Sequence, residues 1–170
     1  MALSACGGGG DTKGSDRPAA AAATVAPAKA ALAISADMVA GTKNMADADK
    51  ATRSCVLQSR FPRNSQIVWR ARVTDAATNT QMDDKALGSL VVKLADGQTF
   101  PMKFAQHPKT NPTDAFWATS WTVPADYPSG SVNYTITATG KDGATATFEQ
   151  FKVSSSLLTI TDEVIPTIGA

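Results

Sequence analysis

The feature of this sequence that most limits its fold is an alternation of apolar and polar residues with a period of two. It is clearest where the apolar residues Trp69, Ala71 and Val73 alternate with Arg70 and Arg72. Successive side chains of a β-strand point to opposite faces of a sheet, so this pattern predicts a strand with one buried and one solvated face. The sequence after residue 55 contains no helical pattern of comparable strength. We therefore expect an all-β fold.

Similar segments recur along the chain at spacings of roughly 8–15 residues, as is typical of β-sandwiches and small barrels. Asp96 and Gly97 close the second segment, and an Asp-Gly pair is a strong hairpin signal. Pro101 lies in the third, which predicts an edge strand because proline has no N–H to donate to a ladder. The predicted strands comprise residues 67–73, 90–94, 100–104, 116–123, 132–139, 144–153 and 157–161.

Residues that can build a core are concentrated in the C-terminal two-thirds of the chain. All three tryptophans, both tyrosines and all six phenylalanines lie from Phe61 to Phe151. Residues 7–36 are instead dominated by Gly, Ala, Pro, Ser and Thr, and such a stretch cannot bury enough apolar area to offset its ordering entropy. Pro18 and Pro27 interrupt any helix there. We expect residues 7–36 to form a disordered, flexible spacer.

A short motif near the start of the sequence indicates lipid attachment. Residues 3–6 read Leu-Ser-Ala-Cys and four glycines follow, which resembles the lipobox of bacterial lipoproteins. The resemblance implies that a signal peptide is cut before Cys6 and that Cys6 then carries a lipid. A signal peptide has a basic region and an apolar stretch of about 7–15 residues before the cut, whereas Met1 and Ala2 alone precede the motif here. We interpret the motif as the remnant of a truncated signal peptide.

The expected organisation has five parts. They are a residual lipobox (1–6), the spacer (7–36), a lead-in segment with room for one short helix (37–54), the β-domain (55–161) and a C-terminal tail (162–170). Lipidation places the chain in an oxidising compartment, where disulfides persist. Cys55 is the second and last cysteine. With a lipid on Cys6, Cys55 is a free thiol; without the lipid, a Cys6–Cys55 disulfide is the alternative.

The segments near the end of the β-domain carry a family resemblance. Residues 127–130 (Tyr-Pro-Ser-Gly), 134–138 (Tyr-Thr-Ile-Thr-Ala) and 141–146 (Lys-Asp-Gly-Ala-Thr-Ala) resemble the closing hairpin of bacterial immunoglobulin-like domains. The resemblance implies an antiparallel β-sandwich of about seven strands. It also implies that the Tyr134 ring enters the core while its hydroxyl bonds a backbone group at the corner. The family's disulfide between sheets is impossible in a domain with Cys55 alone.

Charge and hydropathy argue against nucleic-acid binding and against a membrane-spanning helix. Sixteen basic and fifteen acidic side chains nearly cancel and are interspersed. Nucleic-acid binding needs a basic stripe that neutralises phosphates, and the sequence has none. No apolar run approaches the ~20 residues that a membrane helix requires. We expect contact with a membrane through the lipid alone, and no contact with nucleic acid.

Metal binding is not predicted. His107 is the only histidine, which excludes a site built on two histidines of one chain. A copper site that combines His107 with Cys55, Met82 or Met102 is the alternative, because soft ligands suit copper. The interpretation that we prefer for His107 is a solvated loop residue.

Catalysis and cofactor binding are not predicted either. The sequence has no Gly-x-Ser-x-Gly elbow to serve a nucleophile beside His107. The adjacent acids Asp83 and Asp84 belong to a polar turn, without the spacing of a calcium loop. The glycines at 7–10 precede no strand–helix unit, so they do not form a phosphate loop. We therefore expect neither an enzyme nor a bound cofactor.

Four aromatic residues are the candidates for a binding surface. Trp117 and Trp121 lie four residues apart and share one face of a predicted strand. We expect that face to be the core, since few other large side chains are available to fill it; an outward face would offer a stacking platform for sugar rings. Phe116 takes the opposite face, and Tyr127 lies in the loop that follows.

The predicted function is a non-catalytic binding or assembly module. It is lipid-anchored at the bacterial cell envelope, on the periplasmic or outer-surface side, and another envelope protein is the expected partner. One alternative is an accessory subunit that docks an electron-transfer partner in an envelope redox complex. The other is a glycan-binding domain that uses Trp117, Trp121 or Tyr127.

Overall fold

The structure, a computed structural model, describes residues 31–168. These residues form twelve strands and one short helix. In chain order the elements are β1 (Leu32–Ala40), α1 (Asp47–Arg53), β2 (Arg60–Arg63), β3 (Gln66–Asp75), β4 (Thr80–Gln81), β5 (Leu87–Leu94), β6 (Thr99–Pro101), β7 (Lys103–His107), β8 (Asp114–Thr122), β9 (Gly130–Ser131), β10 (Tyr134–Gly140), β11 (Thr145–Glu149) and β12 (Thr159–Val164).

The strands form two main sheets that stack as a sandwich. The first sheet has the order β1-β3-β8-β7, with β4 added to β3, and the second has the order β11-β10-β5-β6. Every pairing in these two sheets is antiparallel. A small third sheet has the order β2-β12-β9, in which β2 and β12 run parallel. The predicted all-β sandwich is therefore confirmed.

The core lies between the two main sheets, and the period-two pattern explains it. In β3 the side chains of Ile67, Trp69, Ala71 and Val73 are buried, while the residues between them face outward. The opposite sheet contributes apolar residues in the same alternation, namely Leu90, Val92, Leu94, Ile136 and Ala138. Each buried aliphatic side chain stabilises the fold by about 1.5–3 kcal/mol relative to an exposed one.

Trp69 is the centre of an aromatic cluster in this core. Its side chain is 0% exposed. Its ring centroid lies 5.8 Å from that of Phe100 and 6.4 Å from that of Trp121, both nearly parallel. Tyr134 meets it edge-on at 5.8 Å. Offset-stacked and edge-to-face pairs at these distances add about 0.5–1.5 kcal/mol each beyond the burial of area.

The third sheet closes one end of the sandwich. Phe61 of β2 and Ile160 of β12 are buried in the common core, together with Leu158. The buried side chain of Gln150, the residue after β11, bonds the backbone just after β9 and just before β12 of this sheet. Its Nε2 donates to the carbonyl oxygen of Val132 at 3.0 Å, and its Oε1 accepts from the N–H of Leu158 at 3.1 Å. A buried amide bonded at both ends avoids the cost of an unpaired polar group.

The predicted strand at 100–104 is two strands in different sheets. Residues up to Pro101 belong to β6 of the second sheet, and residues from Lys103 belong to β7 of the first. Met102 lies buried between them. Because Pro101 cannot donate to a ladder, the strand ends there and the chain crosses to the other sheet. The predicted edge position is correct, since β6 and β7 each end a sheet.

The folded part of the chain begins earlier than predicted. Residues 32–36, assigned to the spacer, form the first half of β1, and 37–40 of the lead-in form the second half. β1 pairs with β3 over nine residues, from Leu32 opposite Asp75 to Ala40 opposite Ile67. The alternation of Leu32, Ile34 and Ala36 was masked by the alanine-rich composition around it. Residues 1–30 of the predicted lipobox and spacer lie outside the described residues.

The other predicted boundaries also shift. The lead-in contains the short helix α1, in agreement with the sequence analysis. The predicted strand 144–153 ends at Glu149, because Gln150 turns into the core to make its hydrogen bonds. The last strand runs to Val164 and so takes in the first residues of the predicted tail. Residues 169–170 are outside the described part.

Replacing Trp69 with alanine is expected to lower the free energy of unfolding by roughly 3–5 kcal/mol, the range for truncating a large buried aromatic. Trp117→Ala and Trp121→Ala are expected to destabilise the fold as well, because both rings are buried on the same face. Denaturant unfolding measures all three. Phe151→Ala is the control, since this ring is 73% exposed and its loss should cost less than about 0.5 kcal/mol. A Trp69→Ala variant as stable as the wild type would contradict the strand register.

Candidate binding groove

Trp117 and Trp121 belong to the core and form no stacking platform. Their side chains are 5% and 7% exposed. The indole N–H of Trp117 donates to the carbonyl oxygen of Met82 at 2.9 Å. The ring of Trp121 packs on Trp69 inside the sandwich. The inward orientation predicted for this pair is the observed one, and the alternative of an outward platform is wrong.

Tyr127 covers one edge of this core. Its ring is half-buried and meets Trp121 edge-on, with the centroids 4.9 Å apart. Its hydroxyl donates to Oδ2 of Asp96 at 2.7 Å. Partial burial and this hydrogen bond raise the pKa of Tyr127 to about 12. The contact ties the loop before β9 to the turn between β5 and β6, so its evident role is to hold two turns together.

Phe116 faces outward, and both faces of its ring are covered. The His107 ring stacks on it with centroids 4.1 Å apart and an angle of 8° between the planes. The guanidinium carbon of Arg70 lies 5.8 Å from the ring centroid. Arg70 belongs to β3 and His107 to β7, and these strands flank β8 on opposite sides. The geometry therefore leaves no free ring face for a sugar.

Ion pairs extend this row of side chains across the first sheet. Arg70 donates from Nε and an Nη to the two carboxylate oxygens of Asp37 at 2.7 and 2.8 Å, a bidentate pair. This hydrogen-bonded carboxylate, despite some burial, raises the pKa of Arg70. Arg72 pairs with Asp114 through one hydrogen bond, from an Nη to Oδ2. The row connects β1, β3, β8 and β7, and its charges are already neutralised by one another.

The copper alternative does not assemble. Met102 is buried in the core, His107 stacks on Phe116, and Cys55 is exposed beyond the end of α1. Residues 31–168 contain no group of three or more His, Cys, Asp or Glu side chains arranged to hold a metal ion. The same part of the chain has no helix long and apolar enough to cross a membrane.

A concave surface in the described part of the chain lies where no site was predicted. It is a groove of about 670 Å³ between the β1 end of the first sheet and the β11 end of the second. We refer to it as the edge groove. Its lining residues are Ala36, Asp37, Met38, Leu57, Gln58, Ser59, Arg60, Tyr134, Phe148, Gln150, Phe151, Ser155 and Ser156.

Two large apolar side chains at the edge groove are exposed. Leu57 is 64% exposed and Phe151 is 73% exposed, and both line the groove. The wall also carries Arg60, an exposed cation, and the half-buried ring of Phe148. Large apolar side chains gathered around a concave surface with polar groups are typical of a binding site rather than of scattered surface residues.

Hydrogen bonds show which backbone groups of β1 face its neighbour β3. The N–H of Gly41 donates to the carbonyl oxygen of Gln66 at 2.8 Å, and the carbonyl of Ala31 accepts from Ala76 at 2.6 Å. In an antiparallel pair the residues that exchange hydrogen bonds alternate with residues that do not. The odd-numbered residues of β1 therefore bond to β3, and the even-numbered ones point away from it.

The outward groups at the C-terminal end of β1 are satisfied by the segment after α1. Ala40 donates to the carbonyl oxygen of Val56 at 3.0 Å and accepts from the N–H of Cys55 at 2.8 Å. The carbonyl of Met38 accepts from the N–H of Gln58 at 3.2 Å. The chain then leaves for β2, so this cover ends at Met38.

The N-terminal half of β1 is consequently an open sheet edge. Leu32, Ile34 and Ala36 point their N–H and C=O groups away from β3, and within residues 31–168 no other strand pairs with them. Their side chains are half-buried against the core. A row of unpaired backbone groups of this kind is a ready template for another strand. The open edge borders the edge groove at Ala36.

Comparison with protein families, with curated proteins and with solved structures gives no match to this chain. The identification of the edge groove as a candidate site therefore rests on its geometry. Two sequence signals could have pointed to it: the alternation of Leu32, Ile34 and Ala36 before a charged residue, and the large apolar residues Leu57 and Phe151 in otherwise polar surroundings.

The hydroxyl of Tyr134, which lines the edge groove, gives a test in alkaline solution. Burial, with the charge of Asp37 adding to it, raises the pKa of Tyr134 from 10.0 to about 12. The neutral phenol thus stabilises the fold fully below pH 10, and this contribution is lost as the pH rises through 12. This difference in pKa corresponds to about 2–3 kcal/mol in the free energy of unfolding.

We expect the free energy of unfolding to fall less between pH 10 and 12 in Tyr134→Phe than in the wild type. Urea unfolding at a series of pH values measures the difference. All other ionisable groups are common to the two proteins and cancel in the comparison. Equal slopes for the two proteins would mean that the phenol is not buried as described.

Proposed function

We propose that this chain is a non-catalytic binding or assembly module, held at the bacterial cell envelope on the periplasmic or outer-surface side by a lipid on Cys6. The observation that carries the binding role is the edge groove with the open edge of β1 beside it. A groove alone accepts many ligands. A groove that borders unpaired N–H and C=O groups favours an extended polypeptide, because a peptide backbone supplies the matching acceptors and donors.

An immunoglobulin-like relationship is part of the proposal. It is supported by the two stacked antiparallel sheets and by the β10–β11 hairpin, in which Thr135 to Thr139 pair with Glu149 to Thr145. Asp142 Oδ1 accepts from the N–H of Ala144 at 2.9 Å and stabilises the turn. Tyr134 enters the core at the start of β10 as the resemblance implies.

A protein partner fits the site better than a glycan does. The exposed apolar rim at Leu57 and Phe151 gains most from burial against apolar side chains. Phe116, the outward-facing ring among the predicted aromatic candidates, does not line the groove and has a neighbour on each side. The partner in this proposal is another protein of the envelope that presents an extended segment.

The docking role can be tested with a photo-crosslinker in the native host. We expect p-benzoylphenylalanine at Phe151 to give one discrete crosslinked species in intact cells, and the species to be lost when Leu57→Asp is added. The matched control is the same group at Val164, which is 49% exposed and does not line the groove. Equal crosslinking from both positions, or none from Phe151, would contradict the docking of a partner at the edge groove.

The anchoring role has a separate test. We expect the protein in its native host to sediment with membranes and its N-terminal peptide to carry acyl chains on Cys6. The Cys6→Ala variant is expected to appear in the soluble fraction. Mass spectrometry of the native N-terminus decides the question, and an unmodified Cys6 in membrane-bound protein would refute this anchor.

A further inference from the structure

We propose that the open edge of β1 pairs with the same edge of a second copy of this chain. The two β1 strands run antiparallel about a two-fold axis, so that the first sheets of both copies become one continuous sheet. This inference rests on the proposed binding or assembly role. It assigns the open edge of β1 to a second copy of the chain, and the exposed side chains of the edge groove at Leu57 and Phe151 remain the site for the other envelope protein.

The backbone groups of the edge are self-complementary. Leu32, Ile34 and Ala36 are the outward-facing residues, and they are evenly spaced about Ile34. Antiparallel pairing centred there sets Ile34 opposite Ile34 of the second copy, and Leu32 opposite its Ala36. Each of these pairs is of the hydrogen-bonded type, since the outward groups of both strands belong to the same residues. Every outward N–H of these three residues then meets an outward C=O.

The side chains fit the same register. Directly opposite residues project to the same face of the sheet. On the inner face, the long Leu32 of one copy therefore meets the short Ala36 of the other. Ala36 lines the edge groove, so space is present beside it for the incoming leucine. On the outer face Ala33 meets Ser35, and both are small and exposed.

The charges do not oppose this pairing. Asp37 is the ionised residue of β1, and its carboxylate is already bound by Arg70 in a bidentate pair. In the proposed register it lies opposite Ala31 of the second copy, so no like charges face each other. An edge without charge or proline lacks two of the features that keep edges apart.

The strands at the other ends of the two main sheets, within the described part of the chain, each carry a proline or a charged residue. β6 contains Pro101, β7 begins with the exposed Lys103, and β11 ends with the exposed Glu149. Residues 31–36 contain neither a charge nor a proline. The open half of β1 also ends where Gln58 begins to cover Met38, so its length matches the three outward residues that the symmetric register uses.

Cysteine crosslinking tests the register directly. The full chain with Cys6→Ser and Cys55→Ser is the background, and single cysteines replace Leu32, Ile34 or Ala36. The Cα atoms of a hydrogen-bonded antiparallel pair lie about 5.5 Å apart, within the range for a disulfide. We expect Ile34→Cys to give disulfide-linked dimers under mild oxidation.

The two flanking variants are the matched controls. Leu32→Cys alone and Ala36→Cys alone should give no disulfide-linked dimer, because identical residues are then about 13 Å apart along the strands. A mixture of the two should crosslink. Adding Ala36→Pro to the Ile34→Cys chain removes one outward N–H and should abolish the dimer. Its unfolding midpoint should change little, since proline is tolerated on a free edge.

Equal crosslinking of all three single-cysteine variants would overturn the proposal, as would a monomeric Ile34→Cys variant with wild-type circular dichroism. Sedimentation of the wild-type chain over a range of concentrations gives a reading free of substitutions, and a monomer throughout would also overturn it. A monomer with a protected Ile34 amide would indicate that another segment of the same chain occupies the edge. If the two β1 strands do not pair but Phe151 crosslinks specifically to a different protein, the proposed function still holds.

Discussion

The sandwich depends on the burial of Trp69 between its two sheets. This ring lies on β3, a strand with neighbours on both sides in the first sheet, and it touches Phe100 and Tyr134 of the opposite layer. The contact fixes which face of β3 is inside. Because the side-chain period of a strand is two, that choice also sends Arg70 and Arg72 to the outer face. The row of ion pairs and stacked rings on that face therefore follows from the placement of one indole.

The period-two pattern predicted β3, β5, β8 and β10 because each of these strands has one buried and one exposed face. It missed β1, where alanine makes the difference between the faces small. It predicted β6 and β7 as one strand because the alternation continues through Pro101, although the two strands belong to different sheets. These differences share a cause: hydrophobic alternation reports which face is buried and not which strand is the neighbour.

The edge groove was not predicted from the sequence, for the same reason. Phe151 reads as the end of a predicted strand, and its exposure arises because Gln150 turns inward one residue earlier. Leu57 is exposed because its segment covers only part of β1. The predicted aromatic candidates were chosen by residue type, and three of the four serve packing: Trp117 and Trp121 fill the core, and Tyr127 links two turns.

The buried amide of Gln150 lowers the free-energy cost of binding a partner at the edge groove. With both ends of its side chain bonded to backbone, this residue holds the start of the loop after β11 in one position. Phe151 is its immediate neighbour, so the backbone that carries the exposed ring is set before any partner arrives. Ordering a loop at an interface costs free energy that is subtracted from affinity. A partner at this rim meets a surface whose ordering is already part of folding.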